Sequence, residues 1–121
     1  MTKNLAFVIE DDEDLSEIFT RALEGAGFEV ETIRDGKSAQ QRLGEDVVPN
    51  VIALDLHLPY VDGATLLKQI NADERFTKTR VILTTADAVQ AEHLRNKVTI
   101  VLVKPIFFTQ LRDISARLKV E

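Results

Sequence analysis

Val51-Ile52-Ala53-Leu54 is an apolar run with no polar alternation, and it leads straight into a carboxylate, Asp55, and a proline-containing loop. A run of this kind reads as a strand buried on both faces, the environment of a parallel sheet sandwiched between helices. No other feature of the chain narrows the fold as far. Such a strand is satisfied only if the rest of the sequence supplies helices to lie above and below it.

The sequence supplies them in strict alternation. Leu5 to Ile9 is another short apolar run. Leu15, Ile18, Phe19, Ala22, Leu23 and Ala26 recur at helical spacing, and Gly25 and Gly27 end that pattern. Phe28 to Ile33 alternates and is β-branched, which predicts a half-exposed strand at an edge. Asp35-Gly36 opens a weaker helix with Ala39 and Leu43 on one face, and Leu66, Leu67 and Ile70 mark another beyond Asp55. Val81 to Thr84 is a strand, Ala88 to Asn96 a weakly amphipathic helical segment, and Thr99 to Val103 the last strand. Phe107, Leu111, Ile114 and Leu118 mark a terminal helix. Five strands alternating with five helices over short connections predict an α/β domain with a parallel sheet, helices on both faces and right-handed crossovers. No repeat, low-complexity tract or linker interrupts the chain, so residues 1–121 are expected to form one domain.

Composition removes several function classes. At 121 residues the chain is long enough to bury a core, and its 45% hydrophobic and 29% charged residues are ordinary for a globular protein. No apolar run is long enough to cross a bilayer, and Met1-Thr2-Lys3-Asn4 leads directly into the first strand, so neither an anchor nor a signal peptide is expected. The absence of cysteine leaves no disulfide framework and no thiolate chemistry, which fits a cytoplasmic location. A net charge of -5 with no basic stripe argues against direct nucleic-acid binding.

In doubly wound sheets ligands bind beyond the carboxyl ends of the strands, where the strand order reverses. The first strand delivers Glu10 and Asp11 there, the third Asp55, the fourth Thr84 and Thr85, and the fifth Lys104. Each has an ordinary structural role as an alternative. The acids Glu10 to Asp14 suit a helix start, where the dipole favours negative charge and Asp can cap, and this accounts for Asp12, Glu13 and Asp14. Glu10 and Asp11, however, follow the buried strand at once, and adjacent carboxylates repel unless a cation sits between them. Asp55 could cap a turn, but Leu56-His57-Leu58-Pro59 does not begin a helix. Thr85 could satisfy backbone at a strand end. Lys104 could be a solvated lysine, yet it interrupts the apolar run Ile100 to Val103 just before Pro105, which favours a fixed partner.

From Leu5 to about Leu118 the chain resembles the receiver domain of two-component response regulators. The resemblance is carried by the acids of FVIEDDEDL, the acid of ALDLHLPYVDG, the Thr of LTTADA and the Lys-Pro of VLVKPI, in order and each at a predicted strand end. It implies a doubly wound, five-stranded parallel sheet of flavodoxin-like order 2-1-3-4-5. It also implies Asp55 as phosphoacceptor, Thr85 bonding the phosphoryl group, and Lys104 as the cation on the phosphoryl oxygens. Glu10, Asp11, Asp55 and the backbone carbonyl of His57 then hold a metal, and hard oxygen donors without clustered His or Cys suit Mg²⁺. The implied partners are a histidine kinase or phosphotransfer protein and an unidentified downstream protein, with no direct nucleic acid and no membrane. On this reading the chain is a signalling domain rather than an enzyme, apart from catalysing its own phosphotransfer and dephosphorylation.

A side-chain role for His57 as a general base is set aside, because a lone exposed histidine is more often a bystander; His93 carries no signal. Other function classes remain beside this one. A receiver-fold binding module would have an output independent of phosphorylation. A phosphatase with an Asp nucleophile would need a second acid two residues after Asp55, where this chain has His57. Two departures from the family concern the output face. Val101 stands where receivers usually have Tyr or Phe, three residues before the lysine, and the segment from Thr85 to Lys104 is short. Asn96-Lys97 also occupies a joint where a glycine is expected.

Overall fold

The computed structural model describes residues 4–120, so the expected lead-in through Met1-Thr2-Lys3 lies outside the described residues. The elements are β1 (Leu5–Ile9), α1 (Glu13–Gly25), β2 (Glu29–Ile33), α2 (Gly36–Leu43), β3 (Val51–Leu54), α3 (Gly63–Ala72), β4 (Arg80–Thr85), α4 (Ala88–Leu94), β5 (Ile100–Val103) and α5 (Phe108–Ala116). Short 3-10 turns follow α3 at Glu74–Phe76 and α4 at Arg95–Lys97. The strands form one sheet in the order β2-β1-β3-β4-β5, every pairing parallel. This is the flavodoxin-like order, and the strand sequence reverses beside β1.

The side-chain period of two explains how the sheet carries two cores. Along β1, Phe7 and Ile9 point to one face, where they join Leu43 of α2, Leu66 and Ile70 of α3 and Ala91 of α4. Ala6 and Val8 point to the other, with Phe19 and Leu23 of α1 and Leu111 of α5. All four residues of β3 are buried, Ile52 and Leu54 on the first side and Val51 and Ala53 on the second. Burying a side chain of this size contributes about 2 kcal/mol, which is why the uninterrupted apolar run fixes β3 at the centre. β2, with an exposed or half-buried residue at four of its five positions, lies at the sheet edge as its alternation predicted.

Four helices begin at the carboxyl edge of the sheet on an aspartate cap. Asp12, Asp35, Asp62 and Asp87 accept from the backbone N–H of Leu15, Ser38, Thr65 and Gln90 respectively. Each such cap is worth about 1 kcal/mol and fixes where its helix starts. The loop from Leu56 to Asp62 is held between the first turns of α2 and α3. Gly63 N–H donates to Leu56 O at 2.8 Å and Gly36 N–H to Pro59 O at 3.0 Å. Both contacts require glycine: a Cβ on Gly63 would run into the carbonyl oxygen of Asp55, and one on Gly36 into that of Val61.

α4 is the least anchored helix. It has seven residues, of which only Ala91 is buried, and the 3-10 turn after it buries none. Its weak amphipathicity was legible in the sequence; the early stop at Leu94 was not.

Candidate functional site

Because β1 and β3 are neighbours with Ile9 opposite Leu54, the next residue of each, Glu10 and Asp55, emerge side by side. Backbone bonds continue the sheet pattern one step past the strands: Glu10 N–H donates to Ile33 O at 3.0 Å, Asp55 N–H to Ile9 O at 3.1 Å and Lys104 N–H to Thr85 O at 2.7 Å. The strand ends thereby become a rigid frame. Glu10 and Asp55 are 1% and 4% exposed, whereas Asp11 is open to solvent. One carboxylate oxygen from each of these three lies within 4.8 Å of the other two. Lys104 Nζ reaches in from β5, 2.7 Å from Glu10 Oε1 and 3.4 Å from Asp55 Oδ2. Together with Asp12, His57 and Ala86 they line an open cleft of about 330 Å³. The Lys104-Pro105 bond is cis.

The electrostatics follow from this crowding. Burial pushes the Glu10 carboxyl up to about 7, with the Asp55 charge adding to the rise and Lys104 and the Asp12 N–H only partly opposing it. Burial pulls the Lys104 ammonium down, but its bonds to Glu10 and Asp55 outweigh that and leave it above its ordinary value. Glu10 Oε1 is held by the 2.7 Å ion pair with Lys104 Nζ. Two buried carboxylates thus share one lysine, and the exposed carboxylate of Asp11 lies beside them. The donor set is short of positive charge, and it suits a hard divalent cation that needs few carboxylates and keeps several waters.

The remaining residues singled out in the sequence are placed as follows. Asp12 caps α1, and its N–H donates to Glu10 Oε2 at 3.2 Å. Thr85 is fully buried behind Ala86, its Oγ1 accepting from Asp87 N–H at 3.0 Å. Its hydroxyl is therefore turned to the cap of α4 and does not line the cleft. Thr84 is also fully buried, and its hydroxyl has no partner among the described residues. His57 does more than the sequence reading allowed: its Nε2 lies 3.4 Å from Asp87 Oδ2. The backbone N–H of Gln90 holds the Asp87 carboxyl below its usual range, and His57 assists. The pair joins the loop after β3 to the start of α4. Sequence reasoning missed Asp87, although an aspartate just before a helical segment was available as a cap signal. It also missed Arg34, whose Nη2 donates to the backbone carbonyl of Asp11 at 2.9 Å.

Fold and site together define a doubly wound domain with an acidic, lysine-bounded cleft at its topological switch point. The chain belongs to the response regulator receiver domain family, whose model matches residues 6–116. It is 33% identical over 118 residues to the probable methanogenesis regulatory protein FilR2 of Methanothrix harundinacea, covering 89% of this chain and 76% of that one. It is 36% identical over 92 residues to the phosphate regulon transcriptional regulatory protein PhoB of Rhizobium meliloti, covering 76% of this chain and 40% of PhoB. The chain thus spans less than half the length of that second relative. Among solved structures, the receiver domain of sensor histidine kinase PA1611 from Pseudomonas aeruginosa PAO1 superposes with a TM-score of 0.82 at 25% identity, covering 95% of this chain and 96% of that one. That structure has a magnesium ion coordinated in its active site cleft. No helix of the described residues is long and apolar enough to cross a membrane.

Proposed function

We propose that Asp55 is the phosphoacceptor of this receiver domain, that residues 1–121 act as one such domain, and that a histidine kinase or phosphotransfer protein is the donor. The observation that carries this reading is the convergence of Glu10, Asp11, Asp55 and Lys104 from three strand ends onto one cleft. Glu10, Asp11, Asp55 and the His57 carbonyl would hold Mg²⁺, which supplies charge neutralisation on the transferring phosphoryl oxygens when bound. The framed strand end holds the Asp55 carboxylate with one face on the cleft, positioned as a nucleophile. Its oxygen forms a bond to phosphorus while the bond from phosphorus to the donor breaks, and the donor leaves with that electron pair. Lys104, already 3.4 Å from Asp55 Oδ2, is placed to follow the added negative charge. Thr85 contributes only after its hydroxyl gives up the Asp87 N–H. The resulting acyl phosphate is hydrolytically labile, and the domain catalyses no turnover beyond its own phosphotransfer and dephosphorylation. A cytoplasmic location and a protein rather than a nucleic acid as downstream target complete the reading.

Mass spectrometry after incubation with acetyl phosphate and Mg²⁺ tests it. One phosphoryl group is expected on the wild type and none on Asp55→Ala; a stable adduct on a Ser, Thr or His would sink the assignment. A second reading, a binding module whose output ignores phosphorylation, is favoured by one observation. Val101, half-buried against the α2–α3–α4 core, is stiff and small where the family has a switching aromatic ring.

A further inference from the structure

The early stop of α4 leaves a groove that the cleft chemistry does not use. α3 runs for ten residues and α4 for seven, and the two pack little against each other. Between them lies an open cavity of about 320 Å³. Ala64, Leu67 and Leu94 form its apolar floor, and Lys68 and Lys97 stand beside it. Asn71 Nδ2 donates to Lys97 O at 3.1 Å, tying α3 to the 3-10 turn after α4 at one end. Neither Lys68 nor Lys97 pairs with a carboxylate among the described residues. The chain as a whole carries 20 acidic against 15 basic residues, so two unpaired ammonium groups over an apolar floor are the local opposite of its general charge.

We propose that this α3–α4 groove docks an acidic amphipathic helix of a partner protein. A groove between two helices, with apolar side chains from both as its floor and ammonium groups at its rim, is shaped to take the apolar ridge of a third helix. Aliphatic side chains at i, i+3, i+4 and i+7 would cover Ala64, Ala72 and Leu94 over the buried Leu67, and flanking Glu or Asp would meet Lys68 and Lys97. The groove is also wired to the cleft. Leu94 rides on α4, and the cap of α4, Asp87, is bonded through its N–H to Thr85 Oγ1 and faces His57 through its carboxylate. Drawing the Thr85 hydroxyl toward a phosphoryl group breaks the Asp87 bond and shifts one wall of the groove. This coupling, unlike the docking itself, rests on the phosphoacceptor reading.

The test uses the full chain and a labelled synthetic peptide of about 14 residues, four helical turns, with Leu at i, i+3, i+4 and i+7 and Glu at most other positions. Fluorescence anisotropy should show saturable binding, with amide shifts centred on Ala64, Leu67 and Leu94. Lys68→Glu with Lys97→Glu, both exposed and checked for folding by circular dichroism, should weaken it about tenfold or more. A Lys-for-Glu version of the peptide should bind far more weakly. Beryllofluoride should change the peptide affinity of the wild type and leave that of Asp55→Ala where it was without beryllofluoride. Equal binding of both peptides, no effect of the charge reversals, or shifts elsewhere would overturn the proposal. So would occupancy of the groove by decanoate but not peptide, or by a second copy of the chain in sedimentation. Docking that survives while beryllofluoride changes nothing would overturn the coupling alone.

Discussion

Glu10 is where the site stores its electrostatic tension. A carboxyl pushed up to about 7 from 4.5 holds its proton in the folded chain across that interval, and a divalent cation binding there must expel it. The sign follows directly. Below pH about 7 the proton competes, so Mg²⁺ affinity should rise with pH by up to about tenfold per unit, then level off once Glu10 is ionised. Magnesium titrations on both sides of that pH measure it, and Glu10→Gln should bind weakly with no slope. A slope unchanged in Glu10→Gln would move the tension to another group. Asp11→Ala should lose most of the binding at every pH, because it removes a ligand rather than a titration. An unaltered isotherm in that variant would remove Asp11 from the donor set.

At the level of elements, the loop after β3 and the helix α4 behave oppositely. The loop is clamped by two glycine contacts, and Tyr60 within it takes a left-handed backbone, φ 72, with its ring outside. Gly63→Ala drives a methyl group into the Asp55 carbonyl and should cost about 3 kcal/mol in denaturant unfolding while weakening metal binding. Gly44→Ala is the control. Its φ of -84 and ordinary surroundings accept a Cβ, so its stability should stay within about 1 kcal/mol of wild type. α4 has one buried residue to hold it and two polar tethers at its start, a combination that marks a segment of low local stability. Amide exchange with and without beryllofluoride should therefore change between Ala88 and Val101 as well as around Asp55 and Thr85. Protection that changes only at Asp55 and Thr85 would favour the module whose output ignores phosphorylation.

For the whole molecule, the alternation along β1 makes the two cores one cooperative unit. Phe7 and Val8 are adjacent in sequence, completely buried, and point into opposite clusters. Phe7→Ala should cost about 4 kcal/mol and Val8→Ala somewhat less. Each should move a single unfolding transition seen identically by far-ultraviolet circular dichroism and by exchange of amides on either face. Two separated transitions would show that the helices on the two faces fold independently and that residues 1–121 are not one domain.

The alternation of apolar runs with helical periodicity was enough to determine the layered α/β architecture, because burial on both faces leaves a strand such as Val51 to Leu54 no other environment. The same local logic singled out Glu10, Asp55 and Lys104, each directly after a strand, and Asp11 one residue on, since a charge there needs a reason. The strand order was not legible from periodicity, which says that strands are parallel but not which are neighbours; the family resemblance supplied it. Only tertiary structure decided what those charges meet. Burial of Glu10 to 1% exposure, the reach of Lys104 to two carboxylates, and the turning of the Thr85 hydroxyl to Asp87 all depend on through-space distances. The His57–Asp87 pair and the α3–α4 groove lay beyond the sequence for the same reason. Each joins segments whose spacing along the chain carries no trace of their meeting, because loop closure and helix length, not local pattern, bring them together.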